Sequence, residues 1–257
     1  MRVPLALIRA SLMVALQYRG DFAFELLTGV VRTAGRVLPL LLVYGHTTSI
    51  GGWSADEAML VMGFFLLMTA FHEGLMEPNL GEVVEAVRQG TLDLWLLKPA
   101  DAQLLVSIRR VDPAYLWDLF AATAVLGWAT WRVGVPSPLD ALVSFVLLLC
   151  GLSAMYGLWL LAICTSFWFV RVDNLRFLLL SVADAGRWPL SVFTGWVKLL
   201  FVAVVPVALV TTFPAEALRG SWGGPLVAIA VTVAVAFLVA SRLAWKRALA
   251  SYTSASS

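Results

Sequence analysis

Two clusters in this sequence carry side chains that could do chemistry. Asp21, Glu25, Thr28, Arg32 and Arg36 recur at spacings of four, three, four and four, which sets them along one face of a helix. Their neighbours are apolar enough for a membrane span, and an arginine near a span's centre costs about 2.5–3.5 kcal/mol on insertion scales. The stripe must therefore face protein or water, which makes Glu25, Arg32 and Arg36 candidates for a subunit contact or for the wall of a transport pathway. A purely structural alternative, compatible with the first, is an ion-pair lock from these arginines to Glu73 or Glu77. The second cluster is His72 with Glu73. A zinc-protease helix would read His-Glu-x-x-His, but Met76 stands where the second histidine belongs. His46, the only other histidine, is expected at the opposite membrane boundary. His72 and Glu73 join the pathway or contact candidates, and no metal or catalytic site is expected.

Other motifs are missing. Lys98, Lys198 and Lys246 lack the preceding glycines of a Gly-x-x-x-x-Gly-Lys-[Ser/Thr] loop, so the chain has no ATP site of that kind. There is no Gly-x-Ser-x-Gly elbow and no internal repeat of secondary-transporter type. Cys150 and Cys164 lie in one apolar stretch; on a helix their spacing separates them by about 21 Å, beyond disulfide reach.

These residues are held in a chain of 257 residues, 61% hydrophobic and only 13% charged, with a mean hydropathy of +0.88. A soluble domain is about one quarter charged, so lipid is the solvent for most of this chain. A net charge of +2 argues against nucleic acid as a partner. Spans of about 20 apolar residues are expected at 22–44, 58–76, 113–131, 139–169 and 225–243. The stretch 3–19 has apolar residues at helical spacing with Arg2 and Arg9 off that face, and reads as an interfacial amphipathic helix.

Basic residues set the orientation. Arg2, Arg9 and Arg19 precede the first span, Arg88, Lys98, Arg109 and Arg110 follow the second, Arg171 and Arg176 follow the fourth, and Arg242, Lys246 and Arg247 follow the last. The opposite side holds only Arg132 and Arg219, so both termini are cytoplasmic. Trp117, Trp168 and Trp245 fall at the inner boundary, and Trp53, Trp128, Trp131 and Trp222 at the outer one. Parity requires one net crossing between Asn174 and Trp222. Either 175–188 is a short fifth span and 192–212 a re-entrant pair broken at Pro206, or 196–212 crosses; the first places both Trp188 and Trp196 near the outer boundary and is preferred. The predicted fold is one all-α transmembrane domain over 1–257, with six transmembrane helices.

Between the second and third spans, Leu80, Val83, Val84 and Val87 repeat at i, i+3, i+4 and i+7, marking a short amphipathic helix over 79–90 that Gly90 caps. So apolar a stripe on the cytoplasmic side requires a partner surface, either membrane or protein.

The chain resembles the permeases of type-2 ATP-binding-cassette transporters, six-span class, in the bacterial branch that works as paired, related subunits. The likeness rests on Gln-Tyr-Arg-Gly-Asp-Phe at 17–22, Arg-Gln-Gly-Thr-Leu-Asp-Leu-Trp-Leu-Leu-Lys-Pro at 88–99, Phe-Trp-Phe-Val-Arg-Val-Asp-Asn at 167–174, Arg-Trp-Pro-Leu-Ser-Val-Phe at 187–193, Phe-Pro-Ala at 213–215 and the closing Tyr-Thr-Ser-Ala-Ser-Ser. The resemblance implies an interfacial N-terminal helix, a cytoplasmic coupling helix after the second span and a re-entrant pair before the last. It also implies docking of the 79–90 helix on a nucleotide-binding ATPase dimer, with Leu80, Val83, Val84, Val87, Arg88 and Asp93 as docking residues. ATP and magnesium would sit on that partner, with no cofactor in this chain, and a second permease, related or identical, would complete the transporter. The expected setting is the bacterial cytoplasmic (inner) membrane, surrounded by lipid. A different class, a membrane-embedded enzyme acting on a lipid-linked substrate, would have to use Asp184 with Arg187 or His72 with Glu73.

Overall fold

The structure is a computed structural model that describes residues 19–97, 101–108, 115–169 and 173–252. The interfacial helix expected over 3–19 lies outside the described residues apart from Arg19, as do Lys98, Arg109, Arg110 and Arg171.

The first helix, α1, runs over Arg19–Tyr44. The second, α2, covers Ala55–Gln89, 35 residues. It opens on a capping box in which Ser54 accepts from the Glu57 backbone and the Glu57 carboxylate accepts from Ser54, satisfying donors that a helix start leaves open. The predicted second span and the predicted cytoplasmic helix are here one continuous rod. Its regular part, Ala55–Phe71, passes into a π-helical turn at His72–Met76 and resumes as Glu77–Gln89, closing on Gly90 with a positive φ of 69°. Pro78, near the start of that last segment, has no N–H and would crowd the carbonyl four residues back in a regular helix. The wider π turn lies where that clash would occur.

Two short helices follow, α3 at Asp93–Leu96 and α4 at Ala102–Ile108, then α5 at Tyr115–Val133. The next long helix, α6, is Pro138–Cys164, started by a second capping box between Ser137 and Asp140 and prolonged by a 3-10 turn at Thr165–Phe167. In place of a regular span over 175–188 there is α7, Asp173–Ala183, followed by 3-10 turns at Asp184–Arg187 and Leu190–Val192. Eleven residues of α-helix reach only about 16 Å, so the remaining distance is covered by the tighter turns. The stretch Trp196–Val204, which opens as α8 (Trp196–Leu199), meets Val207–Leu218 at a bend of 69°. The second arm holds α9, Val207–Val210, and α10, Thr212–Leu218. The bend falls at Val205 and Pro206, where proline ends the helical hydrogen bonding. The last helix, α11, is Gly224–Ser251.

By length and apolarity four of these helices could cross a membrane, or five if the bent pair is one span. The 19-residue α5 falls outside that set because Asp118, Arg132 and its three tryptophans lower its hydropathy.

Contacts sort the helix ends into two groups. At one end Arg132 pairs with Asp56 at 3.2 Å, Arg219 with Glu57 at 2.8 Å, Ser191 Oγ donates to the Gly51 carbonyl at 2.6 Å and Trp222 Nε1 donates to Asp140 at 2.7 Å. At the other, Arg176 pairs with Glu77 and Arg242 with Asp101. The chain from Arg176 to Ser191 therefore runs from one end to the other, whereas the bent pair leaves and returns to the end where Gly51 and Glu57 lie.

Packing is densest around α2, whose most apolar window is 72% buried, against 11% for α1 and 17% for α11. The outer helices thus present apolar faces outward, through Leu27, Val31 and Leu42 on α1 and Val235 and Val239 on α11. Two of the tryptophans expected at membrane boundaries are buried within the chain: Trp53 lies under the Arg219 guanidinium at 4.2 Å, and Trp245 meets Phe167 edge-on at 5.9 Å.

Glycine makes the tightest approaches. A Cβ on Gly151 of α6 would stand 2.6 Å from the Leu209 backbone of the bent pair, and one on Gly157 would stand 2.8 Å from the Phe237 backbone of α11. Close backbone contact of this kind is what small residues allow in lipid. Gly151→Val should destabilise the protein by about 1–3 kcal/mol or more, as overpacking does, lowering the melting temperature in detergent followed by tryptophan fluorescence. Gly127→Ala, in open space, should leave it unchanged or raise it, by at most about 1 kcal/mol.

Candidate functional site

The α1 stripe is tied to the bundle by its arginines. Arg36 Nη2 meets Glu73 Oε1 at 2.5 Å and its Nη1 donates to Thr69 Oγ1 at 3.2 Å, both on α2. Arg32 Nη2 meets Asp118 Oδ2 of α5 at 2.7 Å, and the Asp118 side chain is only 3% exposed. The lock from Arg36 to Glu73 is thus present. Glu77 is engaged by Arg176 instead, and the partner of Arg32 is an acid on a different helix. Asp118 is legible in retrospect, because it is the one acidic residue within α5, and a carboxylate at membrane depth needs a cation. Glu25 lies in α1, where only its backbone is described.

Around the Arg36–Glu73 pair a cavity of about 340 Å³ opens between α1, α2, α6 and α7, lined also by Thr69, His72, Ser181 and Asp184. A second cavity, of about 390 Å³, lies between the Glu77–Gln89 part of α2 and the end of α6. His72 and Trp159 line both, with ring centroids 4.3 Å apart and planes tilted by 44°. His72 opens the π turn of α2 and its Nδ1 stands 4.0 Å from Glu77. The pathway candidates Arg36, His72 and Glu73 thus come together on one cavity, while Arg32 sits apart at the α1–α5 contact.

The stripe Leu80, Val83, Val84 and Val87 is arranged differently from an open docking face. Leu80 and Val83 are buried within the chain, and Val84 and Val87, half-buried, line the second cavity. Arg88 is exposed and pairs with Glu85 at 2.7 Å; Asp93 begins α3 and is half-buried; Leu97, just beyond, is 80% exposed. Amphipathic spacing announced a buried face, and much of its cover comes from α4, α6 and the turn after α6.

Of the residues that an enzyme would have to use, Asp184 pairs with Arg187 three residues on, and the His72 ring lies tilted against Trp159. Among the described residues no group of three or more His, Cys, Asp or Glu could hold a metal ion. Cys150 is half-buried and Cys164 buried, and neither is in a disulfide.

Removing one member of a buried ion pair strands the other, at a cost of about 3–5 kcal/mol when both are buried. Arg32 is 40% exposed, so Arg32→Gln should lose about 2 kcal/mol, below that range, and Arg32→Gln/Asp118→Asn should recover most of the loss in detergent melting curves.

A family model described as ABC-2 family transporter protein matches residues 30–256. No curated protein and no solved structure matches the chain. The matched region takes in α2, both cavities, the bent pair and α11, and with it the chain belongs to the ABC-2 family of transporter proteins, as a multi-pass membrane permease.

Proposed function

We propose that this chain is one permease half of an ATP-driven exporter in a bacterial cytoplasmic membrane, with both termini cytoplasmic, six crossings and a re-entrant bent pair reaching in from the outer side. The observation that carries the reading is the continuity of α2. Thirty-five helical residues span about 52 Å at 1.5 Å per residue, and the hydrocarbon core is about 30 Å thick. Some 20 Å of the same rod is therefore left over for the space beyond the hydrocarbon, and the basic residues favour the cytosol for the Gln89 end. ATP is bound by a separate ATPase dimer. Its closure displaces the tip of α2 and the α3–α4 connector, and the displacement reaches the Arg36–Glu73 cavity through the helix itself. A permease without a nucleotide site responds only to such differential contacts.

A second permease, related or identical, packs on this one and completes the pathway, with Glu25, Arg32, Arg36, His72 and Glu73 as contact or wall residues. The outward apolar faces of α1 and α11 are available to it and to lipid. Docking on the ATPase falls to the end of α2 and the turn after it. Arg88 and Leu97 make the direct contacts, because they are exposed. Leu80, Val83, Val84 and Val87 hold the tip against α6, and Asp93 fixes the turn.

The double substitution Arg88→Glu/Leu97→Asp changes only exposed side chains. It should abolish co-purification with an ATPase subunit that associates with the unaltered chain on co-expression, while leaving membrane insertion intact. Undiminished association of the double variant would refute the docking role.

A further inference from the structure

We propose that the cavity between the end of α2 and the end of α6 is a binding site for a phospholipid whose head group carries both a phosphate and a primary ammonium. Its position gives the first argument. It lies at the end of the bundle where Arg176 pairs with Glu77 and Arg242 with Asp101, the end that the basic residues assign to the cytosol. Beside it the surface is strongly apolar: Phe169, which lines the cavity, is 65% exposed, and Phe177, next to Arg176, is 74% exposed.

The second argument is charge. Among the described residues four charged side chains line the cavity, the pair Glu77–Arg176 and the pair Glu85–Arg88. They offer both signs, two guanidinium groups and two carboxylates, within one wall. A head group with both signs can present its phosphate to the guanidinium groups and its ammonium N–H donors to the carboxylates, each as a charge-assisted hydrogen bond. A quaternary ammonium has no N–H and can make only half of that set.

The third argument is the remainder of the wall. Leu80, Val84, Val87 and Ile163 give it an apolar side suited to the start of acyl chains. Against this side stand two buried polar atoms with no hydrogen-bond partner among the described residues, Trp159 Nε1 and Ser166 Oγ, both on residues that line the cavity. Buried donors are nearly always satisfied, and the oxygens of a bound ester are acceptors of the kind that both lack. At about 390 Å³ the space lies within the roughly 300–1,000 Å³ common to ligand sites. It holds a head group and the first carbons, leaving the chains to run over Phe169 and Phe177.

This binding requires neither the ATPase nor transport, so its test is separate from that of the exporter reading. The purified chain is titrated, in non-ionic detergent, with phosphatidylethanolamine, phosphatidylcholine and phosphatidylglycerol brominated on their acyl chains, and tryptophan quenching is followed. The ethanolamine lipid should quench saturably and at lower concentration than the other two, and Trp159→Phe should remove part of that saturable component. Glu77→Gln/Arg176→Gln removes one pair without stranding a charge; with an unchanged melting curve it should weaken the saturable phase roughly tenfold, the equivalent of one hydrogen bond to a charged group. Equal, unsaturable quenching by all three lipids would show bulk contact alone and overturn the proposal, as would preference for the glycerol lipid or displacement by inorganic phosphate at equal concentration. A saturable phase that the double variant leaves untouched would overturn the assignment to this cavity.

Discussion

Everything in this protein is arranged around a backbone that has to satisfy its own hydrogen bonds while it crosses lipid. In α2 that requirement is met from the Ser54 cap to the Gly90 cap without a break, and the one irregularity, the π turn at His72–Met76, keeps the chain helical past Pro78. A loop at this point would have separated the Glu77–Gln89 segment from the span. A continuous helix makes them one mechanical part, and the same turn sets His72 and Glu73 beside the cavity around Arg36. Helical π turns are uncommon and gather at functional sites, and in the proposed reading this turn joins the segment that would meet a partner to the segment that would face a pathway.

The rest of the fold can be seen as two packed helix pairs, α2 with α5 and α6 with α11, closed at both ends by polar contacts. At one end Arg219, at the end of the bent pair, reaches Glu57 and Trp53, and Trp222 just beyond it donates to Asp140 of α6. At the other end Arg242 of α11 holds Asp101 and Gln103, whose amide donates to Tyr156 of α6; Ser107 bonds the same hydroxyl at 2.7 Å. The Arg242 guanidinium keeps the Asp101 carboxyl below the usual carboxylate range, so this second clasp stays charged at neutral pH. Exposed ion pairs of this kind contribute little stability, about 0–1 kcal/mol each. Their value is positional: the connector that follows α2 is fastened to α6 and α11, and α1 is fastened to α2 and α5 by Arg36 and Arg32.

Much of this was legible in the sequence because membrane helices declare themselves by length and apolarity, as α1, α6 and α11 do. The bend at Pro206 was legible for the same reason that proline cannot donate. The continuity of α2 was not: Glu77 and Pro78 read as a boundary, and only the π turn, which depends on packing around His72, reconciles them with a helix. The stripe Leu80, Val83, Val84 and Val87 announced one buried face, but periodicity cannot say whether a partner or the chain itself covers it. The Arg32–Asp118 pair joins residues 86 apart, and nothing local to Arg32 points to α5. The habit of tryptophan at interfaces does not tell that Trp53 and Trp245 are buried, under Arg219 in one case and against Phe167 in the other.

If α2 transmits motion as a rod, its two ends must keep their separation while the transporter cycles. Spin labels at Ala55→Cys and Gln89→Cys, with Cys150 and Cys164 replaced by alanine, would report that distance by pulsed electron–electron double resonance in the complex with its ATPase, with and without a non-hydrolysable ATP analogue. One narrow distribution, unchanged between the two states while the distance from Gln89 to a label on the paired permease shifts, is what this account predicts. A distance from Ala55 to Gln89 that changes with nucleotide would mean that the helix hinges at His72–Met76, and would contradict it.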